Sequence, residues 1–166
     1  MPFPILSALI IIPLVVGVIL LLLPADKKNL IRGAALAAGA LMLSLAAALA
    51  LAFHPQMSGS QRQENGDWVP SLGITSHVGV DGISVPLIML AALVVFCGVL
   101  ISWNIGERQR EYFSYLMFLG ASVVGVFASL DLFMLFFFFE LAVFPKFLMI
   151  VLWGYPKTRS YGGMKL

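Results

Sequence analysis

Charge is what this sequence has least of. Only 11% of its 166 residues are Asp, Glu, Lys or Arg, while 61% are hydrophobic. A water-soluble domain carries roughly 25% charged residues, so too little polar surface is present to coat a globule in water. A bilayer must take the place of water, and there only α-helices and closed barrels satisfy every backbone N–H and C=O. The apolar runs lack alternation of period two, which excludes a barrel and leaves helices. Cysteine is nearly absent. Cys97 stands alone within an apolar run, which excludes an intrachain disulfide and a cysteine metal cluster and reads as a small buried hydrophobe. There is no Gly-rich phosphate loop, no nucleophile triad, no haem-binding histidine pair and no metal site in the sequence pattern. The first apolar run follows Met1 with no basic stretch and no small-residue cleavage site, so it reads as a permanent span, not a signal peptide. The formal net charge is +2, and no nucleic-acid partner is expected.

What is present is long and apolar. A hydrocarbon core takes about 20 residues of helix to cross. Five segments reach that length, at about 4–23, 31–53, 84–103, 112–130 and 132–153. The fold class that follows is an all-α integral membrane protein of five transmembrane helices in a single membrane domain, residues 1–166. A polar outer loop, 54–83, separates the second and third spans and holds His54 and His77. Its half from Trp68 to Val80 has β-branched residues suited to a short strand or hairpin. A basic tail, 154–166, follows the fifth span.

The basic residues assign the sides. Lys27, Lys28 and Arg32 lie in the first connection, Arg108 and Arg110 in the third, and Lys157, Arg159 and Lys165 after the fifth span. Five alternating helices put these eight on one side and leave Arg62 on the other. By the positive-inside rule the eight face the cytoplasm or matrix, with the N-terminus and the long loop outside. Trp68, Trp103 and Trp153 lie near the expected membrane surfaces, where aromatic belts form. Ala35 and Gly39 in the second span, and Ala121 and Gly125 in the fourth, are four apart, a spacing that lets helix backbones approach closely in lipid.

One residue breaks the apolar pattern most sharply. Glu140 follows Phe136-Phe137-Phe138-Phe139 near the middle of the fifth span. A charge at a helix centre costs roughly 2.5–3.5 kcal/mol on insertion scales. Loss of hydration penalises the ionised form, which suits such a group to carry a proton; the competing reading is an acid that joins helices. Lys146 stands six residues on, about 240° around the helix and about 9 Å along it, so the two do not share a face. Lys146 is expected to snorkel toward the basic side, to pair across helices, or to take part in proton transfer. Pro145 removes a backbone hydrogen bond from the same span and is expected to kink it. Asp131 reads as the N-cap of the fifth helix. Asp81-Gly82-Ile83-Ser84-Val85-Pro86 reads as the same device before the third, with a turn, a capping hydroxyl and a proline in the first turn.

These motifs carry a resemblance. Gly79-Val80-Asp81-Gly82-Ile83-Ser84-Val85-Pro86-Leu87 resembles the entry to the third helix of the antiporter-like subunits of respiratory complex I. Ser129-Leu130-Asp131-Leu132, followed by Phe136 to Pro145, resembles their fifth helix, and Leu152-Trp153-Gly154 with Lys157-Thr158-Arg159 resembles its exit. Pro145, five residues after Glu140, and the Trp-Gly exit fit the subunit M (chain-four) type.

The resemblance implies the first five helices of the antiporter-like fold, in an energy-transducing membrane such as the bacterial inner membrane. It implies a proton-translocating subunit of an NADH–quinone oxidoreductase, with Glu140 in the proton path. NADH, FMN, iron–sulfur clusters and quinone are expected on partner subunits and none on this chain. Other membrane subunits of the complex and the lipid bilayer are the implied partners. The chain departs from the family in stopping near the start of a sixth helix, as a split or truncated form would. Phe139 stands where tryptophan is frequent, and Lys146 where an apolar residue is expected. Lys146 substituting for the family's seventh-helix lysine is one expectation from that departure. A cation/proton antiporter subunit of the Mrp type and a purely structural scaffold are the alternative functions.

Overall fold

A computed structural model describes residues 4–54, 59–69, 74–155, 157 and 159–165. The chain runs α1 (Ile5–Leu22), α2 (Lys28–Leu51), β1 (Gln61–Val69), β2 (Ile74–Val80), α3 (Ser84–Ile101), a 3-10 turn (Ser102–Asn104), α4 (Gln109–Ala128), α5 (Leu132–Trp153) and α6 (Arg159–Met164). Five helices, α1 to α5, are long and apolar enough to cross a membrane. Two of them start earlier than hydropathy alone sets them. Lys28 opens α2 and Gln109 opens α4, because Lys, Gln, Arg and Glu are good helix formers that add nothing to an apolar count.

The fourth helix is the hub. It packs against α1, α2, α3 and α5 and buries eleven residues, among them Phe113, Met117, Ala121 and Val124. Small residues on it receive large neighbours: a methyl group added at Gly120 would stand 2.6 Å from the Val95 side chain, and one at Gly125 would overlap the Phe138 ring. The second helix lies less tightly on α3, where a methyl group added at Gly39 would meet the Phe96 backbone at an ordinary 3.5 Å. With no hydrophobic force between helices in lipid, such close approach supplies the attraction through dispersion. A buried polar contact joins two spans inside the bundle, from the Ser114 hydroxyl to the Gly17 carbonyl at 2.6 Å. Cys97 is free and half-buried.

One end of the bundle carries the hairpin of β1 and β2, antiparallel with Glu64 opposite Val78. The strands reach further toward the N-terminal side of the loop than the Trp68–Val80 reading, starting at Gln61; residues 70–73 lie outside those described. Two ties hold the hairpin down. The Glu64 carboxylate accepts hydrogen bonds from the Leu6 and Ser7 amides at 3.0 and 2.9 Å and from the Ser7 hydroxyl. Helix N-termini leave amides without intrahelical partners, and here a residue 58 and 57 positions away satisfies those of Leu6 and Ser7. The other tie is a bridge from Val78 to Ser129, with the Leu130 amide donating to the His77 carbonyl at 3.0 Å. This pairing ends α4 at Ala128, two residues before the hydropathy boundary.

The other end carries the basic connections. Arg110 donates to the Leu23 carbonyl at 3.3 Å, and the Trp153 indole donates to the Glu107 carbonyl at 3.2 Å. Arg32 lies over the Trp103 ring, 5.8 Å from its centroid. The segment read as a basic tail is partly helical. The short α6 packs against α5, with Gly163 beside Val151 and Phe147. Two adjacent glycines present no side chains there, so the backbone lies against those rings and branches, a feature that charge counting misses.

Before α3, the capping group is the Asp81 carboxylate, and the Ser84 hydroxyl serves it as a donor. Asp81 Oδ1 accepts from the Ser84 amide at 2.7 Å, the Ser84 hydroxyl at 2.8 Å and the Ile83 amide at 3.0 Å. These bonds, the Ser84 amide first, hold the Asp81 carboxyl below its ordinary value of 3.8 because they favour the charged form. A lowered folded value means the stabilisation is fully present above about pH 4 and fades as pH falls through the folded value.

Two outcomes follow from this packing. Gly125→Leu should push α5 off α4 and destabilise the bundle by about 1–3 kcal/mol, read as a lower thermal aggregation midpoint of the chain in membranes; an unchanged midpoint would remove the close-approach argument. Asp81→Ala should cost roughly 0.5–2 kcal/mol, near the lower end because the group is exposed and screened. The gap to the parent chain should close as the pH is lowered below about 4; a gap that is constant with pH would mean the carboxylate is not the cap.

Candidate functional site

The fifth helix begins as its sequence dictates. Asp131 has extended backbone dihedrals and its carboxylate accepts from the Phe133 amide at 3.0 Å, closing the first turn. The helix then continues unbroken through Pro145 to Trp153. Pro145 is buried. Lacking an N–H, it leaves the Leu141 carbonyl without a donor from within the helix.

This helix is the least covered of the five. It buries only Met134, Phe138 and Pro145, and it packs chiefly against α4 and α6. On its open side, Phe133, Phe137, Glu140, Phe144 and Phe147 follow one another at spacings of four, three, four and three. All five are exposed. That is the heptad seam with which one helix receives another, and Glu140 sits at its centre. Glu140 lies about 12 Å along the helix from Leu132 and about 20 Å from Trp153. With Val143, Phe144, Phe147 and Gly163 it lines an open groove of ≈ 300 Å³.

Lys146 lines a different groove, with Tyr112, Leu119, Met149, Ile150, Trp153 and Gly154. The structure therefore puts the two charges of α5 in separate grooves, as their angular separation requires. Asp81 and Asp131 stand near the hairpin end of the bundle, each committed to starting a helix. His77 faces the Gln63 amide oxygen at 3.3 Å and the His54 backbone pairs with the Gln61 side chain, so both histidines belong to the loop. The spacing of Phe133, Phe137, Phe144 and Phe147 was a signal for this seam that went unread in the sequence, and which side of α5 meets α4 was not legible there.

Comparison with known proteins bears on the resemblance. No family model matches the chain. Among curated proteins it is similar to NAD(P)H-quinone oxidoreductase chain 4 3 of Picosynechococcus sp., 35% identical over 98% of this chain. Along nearly its whole length this chain is similar to chain 4 of the NAD(P)H-quinone oxidoreductases. The chain 4-2 protein of Synechocystis sp. is 33% identical, also over 98% of the chain. The chain spans about 30% of the length of these chain 4 relatives, fitting their N-terminal portion. A solved structure of respiratory complex I from Thermus thermophilus with bound NADH superposes on 95% of the chain with a TM-score of 0.77 and 26% identity, covering 31% of the matched subunit. The membrane-bound sulfane sulfur reductase, an archaeal respiratory membrane complex, shares the fold at a TM-score of 0.72 and 20% identity. The chain is thus a multi-pass membrane protein whose helices are arranged as in the matched part of a complex I membrane subunit.

An exposed carboxyl within an apolar seam should react with an apolar carbodiimide. Treating membranes that carry the chain with dicyclohexylcarbodiimide is expected to place an adduct on Glu140, lost in Glu140→Gln. An adduct confined to Asp131 would mean that the seam is closed.

Proposed function

We propose that this chain is a membrane-arm subunit of an NAD(P)H–quinone oxidoreductase complex and that Glu140 carries protons within it. The observation that carries the reading is the position of one carboxyl at mid-span, in the centre of an apolar seam that α1 to α4 leave uncovered. A group placed there is costly when charged and is accessible to whatever covers the seam. Similarity to chain 4 along nearly the whole chain supports the assignment to that complex.

In this reading, further helices of the membrane arm lie on the open side of α5 and supply the groups with which Glu140 exchanges its proton. Redox chemistry, with NADH, FMN, iron–sulfur clusters and quinone, belongs to partner subunits. The basic end of the bundle faces the cytoplasm or its equivalent, in keeping with the positive-inside rule, and the hairpin end faces outward. Lys146, on another side of α5, takes no part in the Glu140 exchange.

Glu140→Gln tests the reading, because it keeps shape and removes the proton. Proton translocation driven by NAD(P)H in membranes carrying the assembled complex is expected to fall by roughly 10²-fold, the usual worth of a positioned acid or base. Assembly, read by co-purification of the other subunits, should be retained. Unchanged translocation would make the chain a scaffold.

A further inference from the structure

The groove that holds Lys146 has a chemistry of its own. It runs between α4 and α5, with a volume of ≈ 380 Å³, and Lys146 is the one charged residue among those lining it. Among the described residues no carboxylate pairs with that ammonium. Its walls are apolar along Leu119, Met149 and Ile150, and its mouth is aromatic. The mouth is fixed: the rings of Tyr112 and Trp153 meet edge to face at 5.3 Å, Tyr112 shares a hydrogen bond with Ser102 at 2.8 Å, and the Trp153 indole holds the Glu107 carbonyl.

Depth decides what can reach the ammonium. Lys146 is about 10 Å along α5 from Trp153, and Trp153 and Tyr112 are residue types that settle at the level of lipid headgroups. A lysine stem spans much of that distance by snorkelling. The same end of the bundle carries Lys27, Lys28 and Arg32, together with Arg108 and Arg110, which share the Glu111 carboxylate at 3.7 and 3.9 Å. Such a cluster concentrates anionic lipid in the adjoining leaflet.

We propose that the α4–α5 groove binds an anionic phospholipid. Its phosphate is taken by the Lys146 ammonium beneath the aromatic mouth, and one acyl chain lies along Leu119, Met149 and Ile150. Charge complementarity and the apolar walls require both parts of one molecule, which a free anion does not offer.

The test uses membranes carrying the chain in whatever assembly it forms. Photoreactive phosphatidylglycerol or photoreactive phosphatidylcholine, with the diazirine on an acyl chain, is added and adducts are mapped on the peptides containing Leu119, Met149 and Ile150. Phosphatidylglycerol should label these positions about fivefold more than phosphatidylcholine, the enrichment that about 1 kcal/mol per basic side chain gives. The excess should vanish in Lys146→Met, which removes a charge from an apolar helix and so does not threaten folding, and persist in Lys146→Arg. Equal labelling by the two lipids overturns the proposal, as happens if a carboxylate of a neighbouring subunit takes the ammonium. An excess that survives Lys146→Met overturns it as well.

Discussion

Close approach to one helix organises the molecule. Without water between spans, nothing expels apolar side chains toward one another, and attraction comes from surfaces that fit. Gly120 and Gly125 on α4 present no side chains of their own, and Val95 and Phe138 fill the spaces left. Each neighbour that settles on α4 fixes another: α5 follows Gly125, the connection before it meets β2, and β2 holds the hairpin whose other strand reaches α1. The position of Glu140 is a late term in that series. It is set by Phe138 turning inward, which turns the side of α5 bearing residue 140 outward.

The two charges of α5 show how one helix serves two environments. Glu140 and Lys146 are too far around the axis to neutralise each other. Each must meet its needs outside the helix, the acid along the phenylalanine seam and the base along the groove shared with α4. A pair at i and i+4 would have closed on itself and left α5 inert. The six-residue separation keeps both groups available, and the buried Pro145 between them leaves the Leu141 carbonyl without an internal donor.

Most of the fold was readable in advance because its signal is local. Each span is an unbroken apolar run, and no tertiary contact is needed to recognise that it must be a helix in lipid. Asp131 was readable for the same reason, since a cap acts on its own next turn. The features that escaped are those set by distant partners. Nothing around Glu64 announces that it meets Leu6 and Ser7. Nothing around Ser129 announces that it meets Val78. Residues 159–164 are too short and carry two adjacent glycines, so they did not register as helix until their packing on α5 was seen. Glu140 stood out in the sequence by its surroundings, whereas the openness of its side of α5 depends on which residues α4 receives.

The Glu64 clasp bears on the order of events during synthesis. The carboxylate that completes α1 arrives only after the whole of α2 has been made and the connection beyond it has returned to the side where α1 begins. Until then the Leu6 and Ser7 amides must be met by water or headgroups, so α1 is held near the membrane surface at its starting end. When Glu64 arrives, that provisional solvation is displaced, and the first span becomes fastened to the connection between second and third. The Glu64 clasp thus acts as a latch that can close only once two spans have been threaded in the correct sense.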